Sequence, residues 1–221
     1  MPQLAQRGAE DVRIEPEGLH GLLGVPAGAR GVVIFAHGSG SGRLSPRNNH
    51  VASALRRAGL ATFLLDLLTP DEERDRGKVF DIDLLASRLT LATAWIANNP
   101  DTADLAPGYF GASTGAAAAL RAASQPDSRV AAIVCRGGRP DLASDALPIV
   151  RAPTLLLVGS LDGPVIGMNR RAFDELTCEK RLLIIDGASH LFEEPGKLDE
   201  VVSYATEWFE LYLRRSAPIL T

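Results

Sequence analysis

The stretch Tyr109-Phe110-Gly111-Ala112-Ser113-Thr114-Gly115, running on through four alanines to Leu120, decides how this chain is read. Alanine is the strongest helix former, so the run after Gly115 reads as a helix. Tyr109 and Phe110 read as a strand. Between them, residues 111–115 have the form Gly-x-Ser-x-Gly. In a strand-to-helix turn, that form is a nucleophile elbow: the serine sits in a strained turn with its hydroxyl presented at the edge of the sheet. The flanking glycines allow close backbone approach where a side chain would clash. The small residues that follow let the helix lie tightly on the sheet. The plainer alternative is a strand–helix joint with a capping serine; the strand–turn–helix context brings the elbow level with it.

Outward from this turn the chain alternates between apolar runs and helical patterns. Residues 11–15 and 19–25 read as two opening strands separated by Pro16 and Gly18. Buried strands are expected at 31–38, 61–66, 107–112, 130–135, 154–159 and 181–186. Helices are expected at 47–58, from Asp81 or Asp83 through Asn98, after Ser113, at 168–177 and at 197–213. The segment 69–78 is charged and reads as irregular. Strands apolar on both sides, alternating with helices, predict a mainly parallel sheet covered on two faces. Ligands bind such sheets beyond the carboxyl ends of the strands.

A serine hydroxyl is a weak nucleophile and needs a base oriented by a third group. His190, in the loop 186–196 after the last expected strand, is the candidate base. His20 and His50 read as surface or packing residues. Asp162, just past the strand 154–159, is the candidate acid, against the plainer reading of a solvated turn residue. The chain order Ser113, Asp162, His190 is the nucleophile–acid–base order of one known triad architecture. Acyl transfer also needs donors for an oxyanion. The N–H of Thr114 and the N–H of Ser39, in the loop 35–43, are the candidates, with His37 shaping that loop. Arg136 and Arg43 either grip a substrate carboxylate or form ion pairs with Asp141, Asp66 or Asp162. Cys135 reads as a small buried hydrophobe.

Taken together, Phe35–Arg43, Tyr109–Leu120, Val158–Val165 and Gly187–Gly196 resemble the α/β-hydrolase superfamily, and within it the dienelactone hydrolase-like branch. The resemblance covers about residues 20–213. It implies a three-layer α/β-hydrolase fold, with a mainly parallel central sheet, helices on both faces and no large cap domain, in a single domain over 1–221. It also implies a Ser–His–Asp triad of Ser113, His190 and Asp162, no metal or other cofactor, and a small-molecule ester substrate. The enzymes that give the branch its name use a cysteine nucleophile, whereas this chain has Ser113, so carboxylesterase activity is expected rather than a particular lactone. An amidase or peptidase with the same triad and a non-catalytic ligand-binding protein are the alternatives. The segment 69–80 is the candidate flap over an open site.

Composition narrows the function classes. Of 221 residues, 46% are hydrophobic and 23% charged, which is ordinary for a globular protein. The net charge of -4 offers no basic field for nucleic acid or an anionic membrane surface. The apolar runs are too short to span a bilayer. The first 18 residues carry charges and lack the apolar core of a secretory signal, and the chain has two cysteines, so a cytoplasmic protein with free thiols is expected. Gly38–Gly42 after a strand, with Asp66 ending the next, mimics a dinucleotide fold. The glycine spacing departs from that fingerprint, and Ser45-Pro46 intervenes before the helix. No function is read into the tail Ser216–Thr221.

Overall fold

Runs of Val, Ile, Leu and Phe that are buried at every position form the centre of the sheet. These are β3 (Val32–Ala36), β4 (Ala61–Leu65), β6 (Ala132–Arg136) and β7 (Thr154–Gly159). With them lies β5 (Pro107–Ala112), buried except at its first residue. A strand buried on both faces needs a helical layer on each. The computed structural model describes residues 8–213 and supplies both layers. Residues 1–7 of the segment read for a secretory signal and the tail 216–221 lie outside the described residues.

Among the described residues the sheet has eight strands, in the order β1-β2-β4-β3-β5-β6-β7-β8. β1 (Glu10–Ile14) and β2 (Leu19–Gly24) form the opening hairpin, and β2 is antiparallel to both of its neighbours. All later pairings are parallel, ending at β8 (Lys180–Ile185). From β3 the chain crosses to β4 on one side and returns to β5 on the other. The loops leaving β3 and β5 therefore diverge, which opens a crevice at their carboxyl ends.

Alternate side chains of each strand supply the two cores. Val33, Phe35 and Phe110 face Val51, Leu55 and Phe209, which belong to α1 (Pro46–Arg57) and α6 (Lys197–Tyr212). Val32, Ile34 and Tyr109 face α3 (Ile82–Asn98) and α4 (Thr114–Ala123). The side chain of Asp81 caps α3, its Oδ1 accepting the Leu84 N–H at 3.0 Å. Among the described residues no helix is long and apolar enough to cross a membrane.

Three segments differ from the sequence reading. The segment 69–78 is not wholly irregular: it holds a 3-10 turn, Glu72–Arg74, and α2 (Arg76–Val79). Glu72 ties this segment down, accepting from the Thr69 N–H at 3.0 Å and pairing with Arg88 at 3.2 Å. α5 (Gly163–Glu175) begins five residues before the expected start, because Pro164 is tolerated in a first helical turn. Residues Pro140–Ile149, unassigned from sequence, form a kinked 3-10 segment with Pro148 inside it.

The alanine run explains how closely α4 lies on the sheet. Ala116 to Ala119 are fully buried, and a Cβ on Gly111 would stand 2.6 Å from Ala116 Cα. Gly115 is tighter still: a Cβ there would lie 2.1 Å from the carbonyl oxygen of Ala36. Neither backbone can yield without moving β3 or α4. Gly115→Ala is therefore expected to destabilise the fold by about 3 kcal/mol. Urea unfolding would show this as a lowered midpoint; an unchanged midpoint would mean that α4 can shift freely on the sheet.

Candidate active site

The ends of β5 and β6 and the loops after β3, β4 and β8 line a cavity of about 680 Å³ at one end of the sheet. Ser113, Arg136 and His190 line it together with the loop and helix start Gly38–Arg47. Ser113 sits between β5 and α4 with φ 52 and ψ -120, a conformation that L-residues rarely adopt. Such strain costs about 1–3 kcal/mol and persists only where the surroundings over-determine it. Here the Ser113 N–H donates to the Arg136 carbonyl at 3.2 Å, and the Ser113 carbonyl accepts from the Arg139 and Ala116 N–H groups at 3.0 and 3.1 Å. Gly38 packs directly on the turn; a Cβ there would lie 2.9 Å from Ser113 Cβ.

The four histidines have separate fates. His20 is exposed on β2, and His50 makes a surface pair with Asp199 at 2.7 Å. His37 is buried, and its Nε2 accepts the Leu67 N–H at 3.0 Å, so its Nδ1–H donates to the Gly38 carbonyl at 2.9 Å. Both of its nitrogens are committed to holding the loop, leaving none for base chemistry. His190 places Nδ1 2.6 Å from Asp162 Oδ2. A carboxylate only accepts, so Nδ1 carries the proton and Nε2 keeps a lone pair.

Asp162 stands at the N-cap of α5, where a carboxylate usually accepts from the helix's own N–H groups. It makes no such bond, and its Oδ2 goes to His190. The two loops are stitched together by backbone: the Leu161 N–H donates to the Ala188 carbonyl at 3.0 Å, and a Cβ on Gly159 would strike that same oxygen at 2.1 Å. Past His190, Phe192 is buried at φ 58, and the Ser189 N–H donates to Glu194 at 3.0 Å, which fixes the loop from both sides. Gly137, with φ 52, lies beneath the imidazole; a Cβ there would be 3.3 Å from His190 Nδ1. Among the described residues no hydrogen bond joins the Ser113 hydroxyl to His190. Such bonds are commonly long before substrate arrives.

Ser39 and Thr114 touch each other: the Ser39 N–H donates to Thr114 Oγ1 at 3.0 Å. The Thr114 N–H is the first of α4 and has no acceptor within the helix.

The two arginines part ways. Arg43 is spent on Asp66, its N–H donating to Oδ1 at 2.6 Å and its guanidinium pairing with Oδ2. Arg136 is 7% exposed, and its Nε and Nη1 have no partner among the described residues. Arg139, three residues on, is paired through two bonds with Asp141 at 2.9 and 2.8 Å. Cys135 is fully buried, and burial pushes its thiol up to about 12, the state of an inert hydrophobe. Sequence reading passed over Arg47, Glu73 and Gly137. For Gly137 the signal was the Gly-Gly pair after a strand; for Arg47 it was the Ser-Pro helix start just before it.

No family model matches the chain. Two Mycobacterium tuberculosis proteins, from strains CDC 1551 and H37Rv, are named provisionally as phosphoribosyl transferases. They are 57% identical to it over 194 residues, 88% of the chain. The chain spans only 44% of their length. Est1E from Butyrivibrio proteoclasticus is 15% identical, with a TM-score of 0.77 over 92% of this chain and 98% of its own, a likeness of fold alone. The dienelactone hydrolase of Anabaena variabilis is 58% identical, with a TM-score of 0.88 over 93% of this chain and 97% of its own. Identity of that order across nearly the full length of both chains, on the same sheet, places this chain in the dienelactone hydrolase-like family of the α/β hydrolases.

Proposed function

We propose that the protein is a serine hydrolase that cleaves carboxylic esters through an acyl-enzyme. The observation that carries this reading is the 2.6 Å contact from Asp162 to His190, which lines the same cavity as the strained Ser113. Asp162 holds the imidazole in the tautomer whose Nε2 can take a proton. Ser113 Oγ attacks the carbonyl carbon as its proton passes to His190. The tetrahedral oxyanion collects the N–H groups of Thr114 and Ser39. The Ser39 N–H already points at the elbow through its bond to Thr114 Oγ1, and the substrate oxygen takes that bond over. Loss of one such donor typically costs about 100- to 1000-fold in rate. The intermediate collapses, the alcohol leaves with the proton from His190, and water hydrolyses the acyl-enzyme by the same route.

Beside Thr114, a recess of about 130 Å³ floored by Leu68, Val79 and Leu85 suits a short acyl group. The transferase name borne by the Mycobacterium tuberculosis relatives belongs to proteins more than twice the span aligned here, and the residues above support hydrolysis. A fluorophosphonate probe tests the reading: one label per chain is expected, on the peptide that carries Ser113, and prior incubation with p-nitrophenyl acetate should slow its attachment. Folded protein that takes no label at Ser113 would refute the enzyme reading and favour a ligand-binding protein.

A further inference from the structure

The turn that closes β6, residues 136–139, touches both Ser113 and His190. The Arg136 carbonyl accepts the Ser113 N–H at 3.2 Å, and the Arg139 N–H donates to the Ser113 carbonyl at 3.0 Å. Between these bonds Gly137, at φ 52, runs beneath the imidazole; a Cβ there would stand 3.1 Å from the His190 carbonyl oxygen. Gly138 lies against α4, where a Cβ would meet Ala116 Cβ at 2.8 Å. Two glycines in a row give the turn little stiffness of its own, so its place is set from outside.

Two bonds set it. The Gly137 N–H donates to the Leu157 carbonyl of the neighbouring strand β7 at 2.8 Å. The Gly138 carbonyl accepts from Asn169 Nδ2 at 2.9 Å. Asn169 lies on α5, is fully buried, and sends its other amide N–H to the Val165 carbonyl, one turn back in the same helix, at 2.9 Å. The reverse orientation of the amide would set Oδ1 against two carbonyl oxygens, so Nδ2 is the atom that faces them. The same helix has Asp162 at its N-cap. One side chain therefore joins the element that carries the acid to the turn that braces the serine and supports the imidazole.

Stability alone does not account for an asparagine here. It is a weak helix former at an interior position. Its Oδ1 is buried with no partner among the described residues, a cost that leucine would avoid. The other buried residues of α5, Val165 and Ala172, are apolar. A leucine at 169 could pack with them, yet it could not hold the Gly138 carbonyl.

We propose that Asn169 is a positioning residue for the hydrolysis: its amide fixes the turn 136–139, and through that turn the strained backbone of Ser113 and the floor under His190. It acts through Gly138. This rests on the serine-hydrolase reading and adds to it a residue outside the cavity on which the rate depends. An error of about 1 Å in the placing of a reacting group costs roughly 100-fold in rate, so loss of the tether should tell on turnover more than on binding.

The test compares Asn169→Leu, which keeps most of the volume and removes both donors, with Asn169→Ser, whose hydroxyl can still bond the Val165 carbonyl and is too short for Gly138. Ala172→Gly, one turn further along the same buried face, is the control for lost stability. With p-nitrophenyl acetate, both Asn169 variants should lower kcat by roughly 10- to 100-fold with KM little changed. Fluorophosphonate attachment to Ser113 should slow by a similar factor while circular dichroism shows a folded chain. Ala172→Gly should lower the melting temperature by about 2–4 °C and leave kcat within about twofold of the wild type. Wild-type kcat in Asn169→Leu, with only the melting temperature lowered, would overturn the role. Wild-type kcat in Asn169→Ser alone would overturn the tether too, because the bond within the helix would then suffice. An equal loss of kcat in Ala172→Gly would show that any loosening of α5 has the same effect, and loss of fold in both Asn169 variants would make the residue one of stability; either result overturns the proposal. A wild type that hydrolyses no ester and takes no label would instead overturn the hydrolase reading beneath it.

Discussion

Ser113→Ala is expected to lower kcat for p-nitrophenyl acetate by roughly 10⁴- to 10⁶-fold, the range in which a hydrolase loses its nucleophile. The change is informative because so little else alters. The Cβ remains, so the contact with Gly38 is kept. The three backbone bonds that hold residue 113 at φ 52 use its N–H and carbonyl alone. Circular dichroism and the melting temperature should therefore match the wild type, and fluorophosphonate labelling should vanish. Undiminished hydrolysis by the folded variant would refute the assignment of the nucleophile, whatever else lines the cavity.

Asp162→Asn should cost kcat about 10⁴-fold with KM little changed. The carboxylate accepts from His190 Nδ1–H at 2.6 Å and caps no helix N–H, so its replacement removes one interaction only. An amide at that position can turn its own N–H towards Nδ1. The imidazole then carries its proton on Nε2, facing the serine it should deprotonate. Ser113 and the N–H groups of Ser39 and Thr114 stay in place, so substrate binding and slow acylation are expected to survive. A variant with near wild-type kcat would show that His190 needs no orienting acid, and the catalytic role of the 2.6 Å contact would fall. Loss of fold along with activity would assign Asp162 a structural role at the start of α5 instead.

Much of this was legible along the chain. Strand positions could be read because a strand buried on both faces must be apolar throughout, and 154–159 and 107–112 matched residue for residue. The strained turn at Ser113 was visible because its glycines and alanines answer a steric demand made within a few residues. The start of α5 was missed because Pro164 and Gly167 look like loop residues until Asp162 supplies the preceding turn. The 3-10 segment Pro140–Ile149 shows no regular period to read.

The sequence by itself determined the element order, the apolar strands and the strand–turn–helix frame of Ser113, since these follow from backbone sterics and burial among near neighbours. Only the tertiary structure decided which charges are satisfied. Arg43 and Arg136 look alike as residues that follow core strands, yet Asp66, 23 positions from Arg43, neutralises the first and nothing described neutralises the second. The bond from the Ser39 N–H to Thr114 Oγ1 spans 75 positions, and the contact between Asp162 and His190 spans 28. Pairings of that kind depend on which loops the order β4-β3-β5-β6-β7-β8 brings to one end of the sheet. The partner of a charge is chosen by distance in space, and spacing along the polymer carries no record of it.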